Sequence, residues 1–98
     1  NTTIEVIDLL TLAPLDVDTL ISSVKKTGRC VVVQEAPRTL SVSAEVIATI
    51  NDLALLYLEA PVSRVTHYDV VTPYFAREMQ YIPSPERIRA ALEDTLDF

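Results

Sequence analysis

The sequence predicts an α/β fold, three layers α/β/α around a mostly parallel sheet, and three observations carry that expectation. Short β-branched runs alternate with helical apolar stripes along the whole chain, the pattern of strand–helix units joined by right-handed crossovers. Cys30-Val31-Val32-Val33 is apolar without a break, as a strand covered on both faces must be. The helical stripes also carry their own stop and start residues: Gly28 after the first, Ser84-Pro85-Glu86 before the last.

In chain order, Thr3 to Asp8 alternates, with Ile4 and Val6 on one face, and reads as the first strand. Leu9 to Leu15 is apolar but broken by Pro14, so it should be a loop lying on the core. Asp16 is a cap residue, and Val17, Leu20, Ile21 and Val24 follow at helical spacing. Lys25 and Lys26 suit the negative end of that helix, and Gly28 stops it. The valine strand comes next. The loop Glu35 to Val42 then lies where α/β sheets usually place their function, beyond a strand's carboxyl end.

Ser43 should cap a long helix, with Glu45 in its first turn. Val46, Ile47, Ile50, Leu53, Ala54, Tyr57 and Leu58 form its wide apolar face, ended by Ala60-Pro61. Val62 to Thr66 reads as the third strand, and His67 to Met79 as loop with one helical turn. Tyr81-Ile82-Pro83 is an apolar clip before the last helix, whose stripe is Ile88, Ala91, Leu92 and Leu96. A sheet of that width is narrow for this fold, and the sequence opens at Asn1 without an initiator methionine. The expectation is therefore a single domain, 1–98, that belongs to a longer protein and lacks its first βα unit.

Composition narrows the function. A 98-residue chain buries roughly two-thirds of its unfolded surface, enough for one modest core. Its 49% apolar and 22% charged residues are those of a globular domain. A net charge of −6 disfavours nucleic acid and favours a basic protein partner. The single Cys30 makes no internal disulfide and reads as a small core residue, natural in a reducing interior. With one histidine there is no metal quartet, and with one glycine, placed before a strand, no phosphate-cradling loop. His67 follows a strand, but no Gly-x-Ser-x-Gly elbow accompanies it, so it reads as a surface or hydrogen-bonding residue. Glu35 and Glu45 as an acid/base pair is the weaker reading. Glu45 suits its helix N-terminus, and Glu35 should bond loop amides or Arg38 or Arg64. Glu93, Asp94 and Asp97 form an acidic C-terminal end, either a solvated face or a partner surface kept against the helix dipole. No catalytic, cofactor-binding or metal-ligating residue is assigned.

Four segments, in order, carry a resemblance. They are Val6-Ile7-Asp8-Leu9 with Thr11-Leu12-Ala13-Pro14-Leu15-Asp16, and Thr27-Gly28-Arg29 running through Val31-Val32-Val33 to Gln34-Glu35-Ala36-Pro37-Arg38-Thr39. Leu58-Glu59-Ala60-Pro61-Val62-Ser63-Arg64-Val65-Thr66 and Tyr81-Ile82-Pro83 with Glu86-Arg87-Ile88 complete the set. Over nearly the whole chain they resemble the C-terminal domain, of the transketolase C-terminal type, of the β subunit in the decarboxylating component of 2-oxoacid dehydrogenase complexes. Pyruvate and branched-chain 2-oxoacid dehydrogenases are the obvious members.

The resemblance implies an α2β2 tetramer that uses thiamine diphosphate and magnesium. The cofactor sits between the α subunit and the β subunit's N-terminal domain, so this domain alone should bind no cofactor and be inactive. Its implied roles are assembly and docking of the small basic subunit-binding domain of the acyltransferase core. By position the docking carboxylates fall on Glu59 and on the terminus at Phe98. The implied compartment is intracellular: cytoplasm in a bacterium or archaeon, matrix in a mitochondrion. The chain departs from the family where Gln34 replaces a usual His, Leu40-Ser41-Val42-Ser43 a usual Gly-Gly-Phe-Gly, His67 a Gly, and Val71 a frequent Pro. Losing those glycines should stiffen or reroute the loop. The alternatives are the equivalent domain of another transketolase-class enzyme and a free-standing α/β ligand-binding module. An adjoining thiamine-type domain upstream would mark the first two readings, and an initiator Met just before Asn1 the last.

Overall fold

In the computed structural model, which describes residues 2–98, the elements follow one another as α1 (Val17–Thr27), β1 (Val31–Pro37), α2 (Val42–Ala54), β2 (Ser63–His67), α3 (Glu78–Tyr81) and α4 (Pro85–Asp97). Single 3-10 turns cover Leu55–Tyr57 and Phe75–Arg77. Helix limits follow the local chemistry. Asp16 accepts the Thr19 amide at 3.1 Å and its hydroxyl at 2.7 Å, capping α1. Gly28 ends that helix in the left-handed region at φ 73°, its N–H donating to the Val24 carbonyl at 2.8 Å. Ser84 accepts the Arg87 amide at 3.2 Å, with Pro85 in the first turn of α4.

β1 and β2 pair in parallel, Val31 with Ser63, Val32 with Arg64 and Val33 with Val65, before the register slips toward Pro37 and His67. The alternation of side chains then sorts the layers. Val32, with Cys30 and Val62, faces the core formed by Leu20, Ile21 and Val24 of α1 and Val46, Ile50 and Ala54 of α2. Each fully buried Val, Leu or Ile among them contributes about 1.5–3 kcal/mol. Val65 is buried on the opposite face, the side that α4 covers. The order is thus α1 and α2, sheet, α4, the three layers expected. Cys30 packs against the core as read, and burial pushes its thiol pKa up.

One expected element does not form. Thr3 to Asp8 takes no regular secondary structure, and among the described residues the sheet has two strands. An alternating pattern becomes a strand only when a neighbour's backbone is in reach. Here an open groove of about 1710 Å³ lies between this stretch and the outer edge of β1. Ile4, Val31, Val33, Leu92 and Leu96 line it, which leaves Val33 at 48% and Leu96 at 42% exposure. Lys26 and Glu5 form an ion pair that ties the stretch to α1.

α2 also differs from expectation. Ser41 stands at its N-cap, and Ser43 is buried inside the first turn. The helix stops at Ala54, so Leu53 and Tyr57 end more than half exposed and the apolar face is narrower than the sequence suggests. β1 runs on to Pro37, which takes Glu35 out of the expected loop.

Candidate functional site

Residues of interest gather at the two ends of the strands. At the N-terminal end, the turn at Gly28 feeds β1, and the segment before β2 runs beside it. The Glu59 amide donates to the Gly28 carbonyl at 2.7 Å, and the Ser63 amide to the Cys30 carbonyl at 3.1 Å. This lays the Glu59 side chain over Gly28, where an added Cβ would stand 3.0 Å from Glu59 Cγ and 3.1 Å from Cδ. Glycine is required twice at this position, for the positive φ and for the close approach.

Arg29 organises this end. Its Nη1 donates to Glu59 Oε2 in an ion pair, and its Nε donates to the Thr95 carbonyl in the last turn of α4 at 3.0 Å. A single guanidinium therefore joins Glu59 to the helix end that leads to Phe98. Of the two residues singled out for a partner, Glu59 lies on this arrangement, and Phe98 follows Thr95 by three residues in the chain, 76% exposed. The Glu59 side chain is 61% exposed against 30% for Arg29, so the carboxylate is the outer group. Glu93, by contrast, pairs with Arg89 of its own helix at 2.8 Å. Arg29 was not singled out as the connector in the sequence reading. The signal was its place directly after the sole glycine, at the start of the valine strand.

At the C-terminal end, the loop expected to hold a function is latched. Gln34 Oε1 accepts the Ser43 amide at 2.7 Å, replacing a cap by Ser41, whose hydroxyl instead donates to the Arg38 carbonyl at 2.9 Å. Arg64 Nη1 also donates to the Arg38 carbonyl, at 3.0 Å. Thr39 gives its amide to Asp69 Oδ1 at 3.1 Å and its hydroxyl to Asp69 Oδ2. The Thr39 hydroxyl and amide hold the Asp69 carboxyl below its ordinary 3.8. Glu35 engages neither Arg38 nor Arg64 among the described residues, because Arg64 turns to the loop carbonyl. His67, half-buried, stacks on Tyr81 with ring centroids 4.2 Å apart, and its Nε2 is buried without a partner. It is a packing residue where a surface or hydrogen-bonded one was expected.

The chemistry on offer is recognition of charge. A held carboxylate beside a helix C-terminus can take a lysine or arginine from another protein. Among the described residues no three of His, Cys, Asp and Glu come together to hold a metal ion.

Comparison with known proteins bears on the family of the chain as a whole. The family model for "Transketolase, C-terminal domain" matches residues 1–88. A protein of Bacillus subtilis named pyruvate dehydrogenase E1 component subunit beta is 47% identical over 94 residues, covering 96% of this chain and 29% of its own length. Proteins of the same name from Staphylococcus aureus and Staphylococcus epidermidis are each 46% identical over 95 residues, covering 97% of this chain and 29% of theirs. The chain thus spans under a third of the length of these curated relatives.

Proposed function

The chain belongs to the transketolase C-terminal domain family, and on that premise we propose that it is the non-catalytic assembly and docking domain of a 2-oxoacid dehydrogenase β subunit. The names of its relatives favour pyruvate over a branched-chain oxoacid as the substrate of the whole enzyme. In this reading residues 1–98 are one domain of a longer β subunit. The chemistry, oxidative decarboxylation with thiamine diphosphate and magnesium, belongs to the assembled α2β2 enzyme inside the cell.

The residues described here do not fit that cofactor pair. No group of three acidic, histidine or cysteine side chains is available for a metal, and the sole glycine serves a helix end. Assembly with an α subunit and a second β subunit is supported by exposed apolar side chains. Val71, Tyr74 and Phe75 are 93%, 95% and 90% exposed, and Leu56 is 95% exposed. A neighbouring subunit would bury such side chains.

The observation that carries the docking role is the half-exposed Glu59 carboxylate, held on the same guanidinium as the α4 end that leads to the Phe98 terminus. The partner it suits is the basic subunit-binding domain of the acyltransferase core, whose cation the two carboxylates would clamp. Glu59→Ala, and separately removal of Phe98, should each weaken that binding by about 1–3 kcal/mol in the full tetramer. Unchanged calorimetric affinity in both variants would dismiss the docking role.

A further inference from the structure

We infer that Arg29 is a positioning residue that makes Glu59 and the C-terminal turn of α4 into one preformed receptor for a partner's cation. The inference rests on the docking reading above and adds the device that sets its geometry.

A glutamate on a surface turn ordinarily samples many rotamers, and a partner must order it on binding. Glu59 is already ordered. Its stem and its Oε1 lie against Gly28, Oε1 3.2 Å from where a Cβ would stand, and its Oε2 is held by Arg29 Nη1. Its Oε1 has no hydrogen-bond donor among the described residues. With only the Cβ-less Gly28 beside it and the side chain 61% exposed, that oxygen is the one left for an incoming lysine or arginine.

The same guanidinium reaches the Thr95 carbonyl through Nε. A planar fork can serve two acceptors in fixed directions, which an ammonium cannot do as well. Arg29 therefore fixes the separation between Glu59 and the helix end carrying the terminal carboxylate.

A competing role is conceivable, since Arg29 has the same sign as the partner's cation. The burial order argues against it. The guanidinium is the inner group and the carboxylate the outer one, so an approaching cation meets Glu59 first. An isolated exposed ion pair also adds little stability. Placement of the carboxylate is the stronger consequence of this contact.

The test is a double-mutant cycle in the full subunit assembly that carries this domain, with the isolated subunit-binding domain of the acyltransferase as the calorimetric probe. Arg29→Met should weaken binding on the order of tenfold, mostly through faster dissociation. Arg29→Lys should fall between it and the unaltered protein, and it serves in place of the Met variant if that fails to assemble. Gly28→Ala, which displaces the Glu59 stem without touching a charge, should weaken binding in the same direction. In a Glu59→Gln background, Arg29→Met should add less than about twofold, because there is no longer a carboxylate to place. A merely structural Arg29 would give the same loss in both backgrounds, and that additivity would overturn the inference. So would tighter or unchanged binding in Arg29→Met while Glu59→Gln weakens it. If Glu59→Gln itself leaves affinity unchanged, the docking reading fails first.

Discussion

The two ends of β1 solve the same problem, joining a strand to its neighbours, with opposite means. At the N-terminal end one long cation spans three segments, and the turn that needs a glycine has it in Gly28. The carboxylate there remains outside, with an oxygen to offer. At the C-terminal end short polar groups close on each other through Gln34, Ser43, Thr39 and Asp69. The left-handed position there falls on Leu40, at φ 53° and 99% exposed. An α/β sheet usually opens to ligands beyond its strand carboxyl ends. This one is latched there, and its exposed, preorganised charge is at the other end.

The sharpest way to break that comparison is to cut the latch. Gln34→Leu keeps the side chain's bulk but removes the acceptor from the Ser43 amide, in a residue only 1% exposed, together with the weaker, exposed bond that Gln34 Nε2 donates to the Pro37 carbonyl at 3.2 Å. An orphaned buried amide costs about 1–3 kcal/mol, so the urea midpoint should fall accordingly. Partner binding at the opposite end should stay the same. A midpoint that does not move would mean that the loop is held by something other than this bond.

Much of this was legible in the residues. Asp16, Gly28 and Ser84-Pro85 act as read because capping is a local matter, decided within a few residues. The valine run formed a strand because three consecutive β-branched residues suit little else, but the expected cover on both faces is incomplete: no residue of β1 is fully buried and Val33 is 48% exposed beside the groove. Thr3 to Asp8 failed as a strand because pairing is not local. Its alternation is real, but the groove beside it separates it from β1. The cap of α2 was misplaced for a similar reason. Ser43 has the right side chain, but its amide is taken by Gln34, a residue on another element. At the candidate site, Glu59 and Phe98 came from the resemblance. Arg29, which links one to the helix end of the other, shows only when segments far apart in the chain are brought together.

A smaller effect sharpens the contrast between the two turns. Leu40 adopts a conformation that costs an L-residue roughly 1–2 kcal/mol, and its fully exposed side chain returns little. Glycine would remove that strain but add about 0.4–1 kcal/mol of unfolded-state entropy. Leu40→Gly should therefore raise stability by about 0.5–1 kcal/mol in the same urea titration. At Gly28 the reverse substitution should destabilise, since strain and the Glu59 contact act together.

The smallest expected effect is acid-dependent and concerns Asp69. Its carboxyl is held below 3.8 chiefly by the Thr39 hydroxyl and then by the Thr39 amide. A depressed native pKa contributes stability that is present above the unfolded value and lost as pH falls through the native value. The loop should therefore hold at neutral pH and loosen only on the acid side, below 3.8. Asp16, lowered in the same way by Thr19, contributes in the same window at the start of α1. Asp69→Asn isolates the loop's share, because Asp16 is unchanged in both proteins. The Thr39 amide resonance of the unaltered protein should titrate with a midpoint below 3.8, and that of Asp69→Asn should not titrate there. A midpoint at or above 3.8 would mean that the carboxylate is free of Thr39 and that the latch ends at Ser43.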